Sequence, residues 1–322
     1  MYNHEFYLKI FREFEVDDTP ETFEPCNIGH INTTLMVRCD GQIKYVLQKI
    51  NTSIFKKPAE LIENILNVTD FIKKKVLAAG GDPTREVLRL IPTRDGTFYT
   101  TDADGCVWRM YYFIIGAKTF QTAETPELFY NSALAFGKFQ RMLSDFPADK
   151  LHETIPNFHN TVSRFADFKK ALADDVAGRA DSVREEVQFL LDHEGICSYI
   201  TDRIASGEYP LRVTHNDTKL NNVMIDEKTF KAVCVIDLDT VMPGSVLYDF
   251  GDSIRFGASN ADEDERDLSK VFMRLDLFED YTRGFIAGLE NSLTDAEILG
   301  LPMGAIIITF ETGIRFLADH LN

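Results

Sequence analysis

Two Asp-Gly turns constrain the fold of the first third of this chain more than any other feature. Asp40-Gly41 and Asp104-Gly105 each separate two strand-like segments, which is a strong sequence signal for a β-hairpin. The flanking segments are residues 27–39 and 43–50 for the first turn and residues 97–101 and 107–114 for the second. Between the hairpins, Pro58 suits the first turn of a helix, and apolar residues follow it at helical spacing. A small antiparallel sheet with one helix is therefore predicted.

The pattern changes to amphipathic helices after Gly116. Predicted helices cover residues 126–143, 165–177, 182–203 and 268–289. A last helix begins at Thr294, which has capping-box spacing to Glu297. Two strand-like segments, residues 213–217 and 232–237, interrupt the helical region. We therefore predict an α+β fold with two lobes, in which residues 1–116 form an antiparallel sheet with one helix and residues 117–322 form a mostly helical lobe.

Charge and cysteine usage limit the classes of partner. The 322 residues carry 51 acidic and 34 basic side chains, a formal net charge of −17. Such a charge repels nucleic-acid backbones and anionic membranes, so neither is an expected partner. Apolar runs such as residues 305–308 are far shorter than the roughly 20 residues of a membrane span. The five cysteines are scattered without a CxxC pattern, which predicts a cytoplasmic protein without disulfides or a zinc site.

The segment VTHNDTKLNNVMID, residues 213–226, contains the strongest chemical signal. His215, Asp217 and Asn222 have the H-x-D-x-x-x-x-N spacing of a protein-kinase catalytic loop. An aspartate there can orient and deprotonate an attacking hydroxyl, while an asparagine oxygen can hold a metal ion on the nucleotide's phosphates. His215 is expected mainly to brace the loop. Because Asp and Asn also recur in ordinary turns, this motif alone does not establish phosphoryl transfer.

A second segment, AVCVIDLD at residues 232–239, strengthens that interpretation. It has the pattern of a buried strand that ends in Asp237, twenty positions after Asp217. A carboxylate at the end of a buried strand is costly unless it is paired or bound to a metal, and Mg²⁺ prefers oxygen ligands. Asp237 is therefore a candidate Mg²⁺ ligand. Asp239 is either a second ligand or a cap for the turn that follows it.

Several longer motifs resemble the aminoglycoside phosphotransferase and choline kinase family of small-molecule kinases, which have a protein-kinase-like fold of two lobes. The motifs are HNDTKLNNVM, VIDLDTVMPGSVLYDFGDSIRFGAS and ETGIRFLADHLN, with weaker matches in GHINTT, YVLQKIN, LIENI and AFGKFQRML. Together they extend over most of the chain. Within this family they are most similar to the kinases that phosphorylate N-acetylhexosamines. The resemblance also implies a short tail after Asn322.

The resemblance implies roles for individual residues. Asp217 corresponds to the catalytic base, and Asn222 and Asp237 correspond to the Mg²⁺ ligands. Gly29 lies in the turn that covers the nucleotide's phosphates, and Glu63 matches the helix glutamate that braces a lysine on the third strand. The expected sugar contacts are His30, Asp217, Thr240 and Arg315.

The lysine position itself departs from the family pattern. In YVLQKI, residues 45–50, Gln48 occupies the matching position, whereas Lys49 has the useful charge. Adjacent strand residues point to opposite faces of a sheet, so only one of the two side chains can reach a nucleotide. Both stay open as nucleotide-binding residues at this point. If Gln48 is the one, more of the phosphate charge must be neutralised by Mg²⁺.

The resemblance implies Mg²⁺-dependent transfer of the γ-phosphate of ATP to a hydroxyl of a small-molecule sugar. ATP is expected in the crevice, with its adenine near residues 112–117, which include Tyr112 and Ile114. The expected acceptor is the anomeric hydroxyl of N-acetylglucosamine or N-acetylgalactosamine, which gives a sugar 1-phosphate. Two alternatives stay open. The acidic charge would suit a kinase for an aminoglycoside, choline or another small alcohol, and Gln48 would suit a nucleotide-binding pseudokinase.

Overall fold

The computed structural model describes residues 3–26, 31–123, 125–261 and 265–322. The chain divides into two compact units. The first unit comprises residues 1–119 and 224–239, and the second comprises residues 120–223 and 240–322. Each unit has its own arrangement of strands and helices, and each contains some of the predicted site residues.

A five-stranded antiparallel sheet forms most of the first unit. Its strands are β1 (Thr22–Cys26), β2 (Thr33–Cys39), β3 (Gln42–Lys49), β4 (Thr100–Thr101) and β5 (Val107–Tyr112), in the order β1-β2-β3-β5-β4. Both predicted hairpins are confirmed, since β2 pairs with β3 and β4 pairs with β5. At the first turn Asp40 and Gly41 have φ values of 48° and 75°, the left-handed geometry that a tight two-residue hairpin requires.

Three helices accompany this sheet: α1 (His4–Arg12), α2 (Pro58–Ala78) and α3 (Pro83–Glu86). The predicted helix at Pro58 is confirmed as α2. The sequence analysis did not predict α1, although its buried face packs on one side of the sheet. Tyr7 and Phe11 of α1 join Leu47, Trp108 and Met110 in one apolar core. This core fixes which face of β3 and β5 is covered by α1.

A smaller sheet makes the first unit discontinuous in sequence. It contains β6 (Ala117–Lys118), β8 (Val223–Asp226) and β9 (Ala232–Val235). β6 pairs with β8 through Ala117 and Asp226, and Arg85 forms an ion pair of 2.8 Å with Asp226. These contacts place residues 117–119 and 224–239 with the first unit, whereas a single boundary after residue 116 was predicted. Whether the functional lobes divide at residue 116 stays a prediction.

Helices form most of the second unit, as predicted. They are α4 (Pro126–Met142), α5 (Thr161–Asp174), α6 (Arg184–Asp192), α7 (Tyr199–Ser206), α8 (Val246–Gly257), α9 (Leu275–Leu289) and α10 (Asp295–Leu321). Two short antiparallel strands, β7 (Arg212–Thr214) and β10 (Met242–Gly244), lie among them. The single helix predicted over residues 182–203 is wrong: a 3₁₀ turn at Glu194–Ile196, which contains Gly195, separates α6 from α7.

Two glycines allow α8 and α10 to cross closely. A Cβ atom added to Gly251 of α8 would lie 2.3 Å from the carbonyl oxygen of Gly304 in α10. Any side chain at this position would therefore push the two helices apart. The predicted capping box starts α10, because Thr294 and Glu297 each bond to the other's backbone N–H. The close crossing with α10 thus fixes the position of α8 in the second unit.

Among the helices that the structure describes, α10 alone has the length and composition of a possible membrane span. Of its most apolar 18-residue window, 56% is buried inside the protein, and the helix packs against α5 and α8. It also buries two carboxylates, those of Glu297 and Glu311. We interpret α10 as the central core helix of the second unit.

Candidate active site

Residues 215–217, which we call the HND loop, follow β7 and are held by two aspartates of α8. Asp249 accepts the backbone N–H groups of His215 (2.9 Å) and Asn216 (2.7 Å), and Asp252 accepts that of Thr218 (2.9 Å). Burial raises the pKa of Asp249, although His215 and the backbone donors oppose that shift. Backbone N–H groups bound in this way fix the path of the loop. Carboxylates of α8 thus brace the loop from within the second unit.

His215 supports the loop from its other side. Its ring is fully buried and meets the rings of Phe136 and Phe139 in α4 edge-on, with centroids 5.5 and 5.9 Å away. Its Nδ1 atom accepts the backbone N–H of Asp217 at 3.3 Å. His215 was predicted as a catalytic residue that mainly braces the loop, and these contacts are those of a bracing residue.

The carboxylate of Asp217 lies beside two polar side chains of its own loop. This carboxylate is partly exposed, and Asn222 donates from Nδ2 to its Oδ2 (3.0 Å) and to the carbonyl oxygen of Asp217 (2.8 Å). The Nζ atom of Lys219 lies 3.1 Å from its Oδ1. Burial alone lowers the pKa of Lys219, but Asp217 and Asp252 outweigh it, so the net pKa is raised and the ammonium stays charged. The predicted pair of Asp217 and Asn222 is therefore brought together in the structure.

Lys219 is a functional candidate that the sequence analysis missed. It lies two positions after Asp217, inside the motif that was recognised. The available signal was a basic residue between the two motif positions that carry the chemistry. The Lys219 ammonium keeps the neighbouring Asp217 carboxylate ionised and can stabilise negative charge on a phosphate group bound beside it.

Asn222 of the second unit and Asp237 of the first each carry a side-chain oxygen of the kind that Mg²⁺ prefers. The Nδ2 atom of Asn222 is used by Asp217, which orients the amide so that its Oδ1 is the atom offered to a cation. Asp237 is exposed and has a left-handed φ of 60°, a conformation that aspartate tolerates better than most residues. Across the described parts of the chain, no group of three or more His, Cys, Asp or Glu side chains could hold a metal. Mg²⁺ is commonly bound by one or two carboxylates together with water and substrate phosphates, so such a cluster is not a requirement for it.

The expected setting of Asp237 differs from the observed one. β9 ends at Val235, only Cys234 within it is fully buried, and Asp237 lies two residues beyond the strand end. Asp237 is therefore not the buried acid that the apolar pattern suggested. Asp239 is that acid, and it is compensated by a buried arginine, Arg109.

A polar network in the first unit surrounds this arginine. The guanidinium of Arg109 meets both carboxylate oxygens of Asp239, Nη1 to Oδ1 at 2.6 Å and Nη2 to Oδ2 at 2.8 Å. It also donates to Oε1 of Gln48 from Nε (3.1 Å) and Nη2 (2.9 Å). Asn32 donates to Oδ2 of Asp239 at 2.7 Å. Asp239, for which a metal or capping role was considered, is thus an ion-pair partner.

Gln48 and Lys49 lie on opposite faces of the five-stranded sheet. Gln48 is the cross-strand partner of Arg109, on the face opposite the α1 core. Lys49 is the partner of Trp108, whose ring packs against Phe6 of α1 at a centroid distance of 6.0 Å. Gln48 therefore shares a face with the Arg109 network, and Lys49 lies on the α1 side. Nucleotide contact by either side chain stays a prediction.

The remaining predicted nucleotide contacts are spread over the first unit. Tyr112 ends β5 on the α1 side, where it packs against Tyr45, and Ile114 is buried in the connector that follows. Glu63 lies on the exposed face of α2. Gly29 lies outside the described residues. None of these positions changes the prediction that the connector receives the adenine.

The predicted sugar contacts lie in different settings. Thr240 is buried, and its hydroxyl donates to the carbonyl oxygen of His215 at 2.7 Å, so it is tied to the HND loop. Arg315 is exposed on α10 and forms no ion pair with any carboxylate in the described part of the chain. A helix arginine without a carboxylate partner is free to bind a polar ligand. His30 lies outside the described residues.

Comparison with known proteins identifies the family of this chain and its fold. The model of one family, described as "Phosphotransferase enzyme family", matches residues 22–283 of this chain. Among solved structures, a microcompartment-associated aminopropanol kinase is 17% identical with a TM-score of 0.57, covering 99% of this chain and 93% of that one. The GDP complex of aminoglycoside 2′-phosphotransferase-IIIa is 16% identical with a TM-score of 0.59, covering 99% and 92%.

A third structure, an amicoumacin kinase in complex with AMP-PNP, Ca²⁺ and its antibiotic, is 14% identical with a TM-score of 0.60 and covers 99% of this chain and 85% of that one. At such identities the likeness concerns the fold alone. It confirms the predicted fold class: a protein-kinase-like α+β fold with an antiparallel sheet in the first unit and a mostly helical second unit.

Proposed function

We propose a reaction from one premise: the chain belongs to the phosphotransferase enzyme family and is a small-molecule kinase. The proposed reaction moves the γ-phosphate of ATP to the anomeric hydroxyl of an N-acetylhexosamine and gives the sugar 1-phosphate. The observation that carries it is the carboxylate of Asp217, which lies between the ammonium of Lys219 and the amide of Asn222 in a braced loop. Such a group is suited to orient a hydroxyl and accept its proton.

Each residue of this site has a proposed task. Asp217 holds the acceptor hydroxyl and takes its proton as the oxygen attacks phosphorus. Lys219 stabilises the negative charge that develops on the transferring phosphate. Asn222 and Asp237 bind Mg²⁺, which supplies charge neutralisation on the nucleotide's phosphates when bound. His215, Asp249 and Asp252 hold the loop in a geometry that costs no reorganisation during the reaction.

The sugar acceptor is supported by sequence likeness and by two side chains. The motifs around residues 215–224, 235–259 and 311–322 are most similar to kinases that act on N-acetylhexosamines. Thr240 lies against the HND loop, and Arg315 is exposed without an acidic partner among the described residues. Arg315 can donate to sugar hydroxyls or to an acetamido oxygen, whereas the Thr240 oxygen, whose hydrogen is donated to His215, can only accept from a hydroxyl.

A cationic acceptor is the second candidate. The net charge of −17 would attract an aminoglycoside or an amino alcohol, and solved structures of similar fold include kinases named for such compounds. A cationic acceptor would need carboxylates around its amino groups. An exposed arginine such as Arg315 would then oppose binding instead of helping it.

The experiment incubates the protein with ATP, Mg²⁺ and a panel of N-acetylhexosamines, hexoses, aminoglycosides and choline. ADP release reports turnover, and phosphorus NMR locates the phosphate on the product. We expect a 1-phosphate of N-acetylglucosamine or N-acetylgalactosamine, lost in Asp217→Asn by a factor of about 10³ or more, because a general base of this kind contributes 10² to 10⁴.

The other outcomes separate the alternatives. ADP release with cationic acceptors only would keep the kinase and replace the sugar. ADP binding without any product would identify a pseudokinase. Unchanged turnover in Asp217→Asn would contradict the assignment of the base.

A further inference from the structure

A buried cation lies one strand away from the position where the family pattern places one. Gln48 occupies that position on β3, and its partner across the strands is Arg109 on β5. The Arg109 side chain is only 1% exposed. An isolated charge at such a depth is strongly unfavourable, so its partners must be built into the fold.

Asp239 compensates this charge. Its carboxylate meets the guanidinium in a two-pronged contact of 2.6 and 2.8 Å. Burial alone lowers the pKa of Arg109, but Asp239 and Asp237 outweigh it and the pKa is raised. The arginine is therefore a permanent cation. It is tied to a residue two positions after the candidate Mg²⁺ ligand Asp237.

Arg109 also sets the orientation of the Gln48 amide. Oε1 of Gln48 accepts two N–H groups of Arg109, so the amide nitrogen must point away from the arginine. That nitrogen donates to Oγ1 of Thr34 at 3.0 Å. An amide nitrogen carries two N–H groups and Thr34 uses one, so a second donor remains. A cation on the oxygen polarises the amide and strengthens that donor.

We propose that Arg109 replaces the missing β3 lysine indirectly. Gln48 binds a phosphate oxygen of the nucleotide with its amide N–H, and Arg109 is the positioning residue that fixes and polarises that amide. Through Asp239, Arg109 also holds the segment that carries Asp237. The proposal rests on the proposed function, because it concerns the phosphates of the same nucleotide.

The test measures binding instead of turnover. The whole chain is titrated by calorimetry with ADP and with adenosine, each in the presence of Mg²⁺. Arg109→Gln is expected to weaken ADP binding roughly ten- to a hundredfold, the effect of one charge-assisted hydrogen bond, and to leave adenosine binding unchanged. Arg38→Gln is the matched control, because Arg38 lies in the same sheet and pairs with Glu24 outside the network. It should change neither affinity.

A rescue variant separates positioning from mere packing. Adding Gln48→Lys to Arg109→Gln returns one cation to the same face of the sheet, and ADP affinity should recover most of its loss. Gln48→Lys alone places two cations beside Asp239 and should bring no gain. The proposal is overturned if the double variant binds ADP as weakly as Arg109→Gln, or if adenosine affinity falls as much as ADP affinity.

Arg109→Gln leaves Asp239 buried without its cation, which can unfold the first unit. Gln48→Glu is then the variant to measure, because its carboxylate still accepts from Arg109 but has no N–H group that could donate to a phosphate. ADP affinity should fall at least about tenfold with an unchanged thermal midpoint. Unchanged ADP affinity would overturn the proposal.

The unaltered chain separates this proposal from the proposed function. If it binds ADP and phosphorylates no acceptor, the proposed function fails and the ADP titrations still decide the role of Arg109. If it turns over and Arg109→Gln and Gln48→Glu bind ADP normally, the phosphate contact of Gln48 and the role of Arg109 are wrong and the proposed function stands.

Discussion

A buried histidine holds the carbonyl group that precedes the proposed catalytic base. His159 places Nδ1 2.8 Å from Oε1 of Glu311 and Nε2 3.2 Å from the carbonyl oxygen of Asn216. Thr161 donates to the second oxygen of Glu311 at 2.7 Å. Burial alone lowers the pKa of His159, but Glu311 outweighs it and the net pKa is raised. The charged imidazolium can therefore donate to both partners at once.

The stability of the protein should consequently depend on pH through His159. A raised pKa in the folded state means that the stabilisation is complete below the unfolded value of 6.5 and is lost as pH rises through the folded value. The advantage of the unaltered protein over His159→Gln in free energy of unfolding should therefore shrink above pH 6.5, by at most about 1.4 kcal/mol per pH unit. Urea titrations at several pH values measure it.

An exposed histidine supplies the control for this prediction. His193 lies at the end of α6 and bonds to the carbonyl oxygen of Phe189. Subtracting the pH dependence measured for His193→Gln from that of His159→Gln removes what any histidine substitution contributes. A His159→Gln difference that grows with pH would show that the histidine is held neutral instead of charged.

The residues of the site differ in how far the sequence could predict them. His215, Asp217 and Asn222 lie within eight residues, so their spacing alone indicates a shared task. Arg109 and Asp239 are 130 positions apart, and no local pattern connects a strand arginine to a turn aspartate. The apolar run before Asp237 predicted that this residue is the buried acid, which is wrong: the chain leaves the strand two residues early, and Asp239 is buried instead.

The crossing of α8 and α10 connects packing to catalysis, because α8 carries the two aspartates that brace the HND loop. Gly251→Ala should destabilise the protein by roughly 1–3 kcal/mol, the usual cost of overpacking, since the new methyl group would meet the Gly304 carbonyl oxygen. Chemical denaturation measures this loss. Because α8 must shift, turnover should fall as well, even under conditions where the variant stays folded.

The matched control for Gly251→Ala is a substitution at a second helical glycine, Gly313 of α10. A Cβ atom added to Gly313 would have no atom within 4 Å, so Gly313→Ala should stabilise the protein by up to about 1 kcal/mol through helix propensity. Equal stability changes in the two variants would mean that the close crossing of the helices does not limit what position 251 accepts.

Element boundaries show what a sequence pattern leaves out. Local signals predicted α2, both hairpins and the start of α10, because Pro58, Asp40-Gly41 and Thr294 act within their own turns. The apolar periodicity of residues 182–203 continues through Gly195, where the chain nevertheless forms a 3₁₀ turn. α1 was missed although Tyr7, Ile10 and Phe11 recur at helical spacing, because a helix of nine residues gives only a short periodic pattern.

At the scale of the whole molecule, the charge of −17 offers a test of the acceptor class. Raising the salt concentration from roughly 10 mM to 100 mM shortens the Debye length from about 30 to about 10 Å. The KM for a neutral N-acetylhexosamine should stay constant over this range. A cationic acceptor would lose its long-range attraction, so its KM would rise. Steady-state kinetics at fixed Mg²⁺ and ATP decide between the two.

The first unit is built from two separate parts of the sequence, which affects the order in which the protein can fold during synthesis. Synthesis proceeds from the N-terminus, yet the first unit includes residues 224–239, which follow more than a hundred residues of the second. The ribosome must therefore release residue 235 before β9 can complete the three-stranded sheet, whereas the five strands at residues 22–112 are available early. Partial chains that end near residue 119 should therefore lack the three-stranded sheet and tend to aggregate. Completion of the first unit is thus expected late in synthesis or after it.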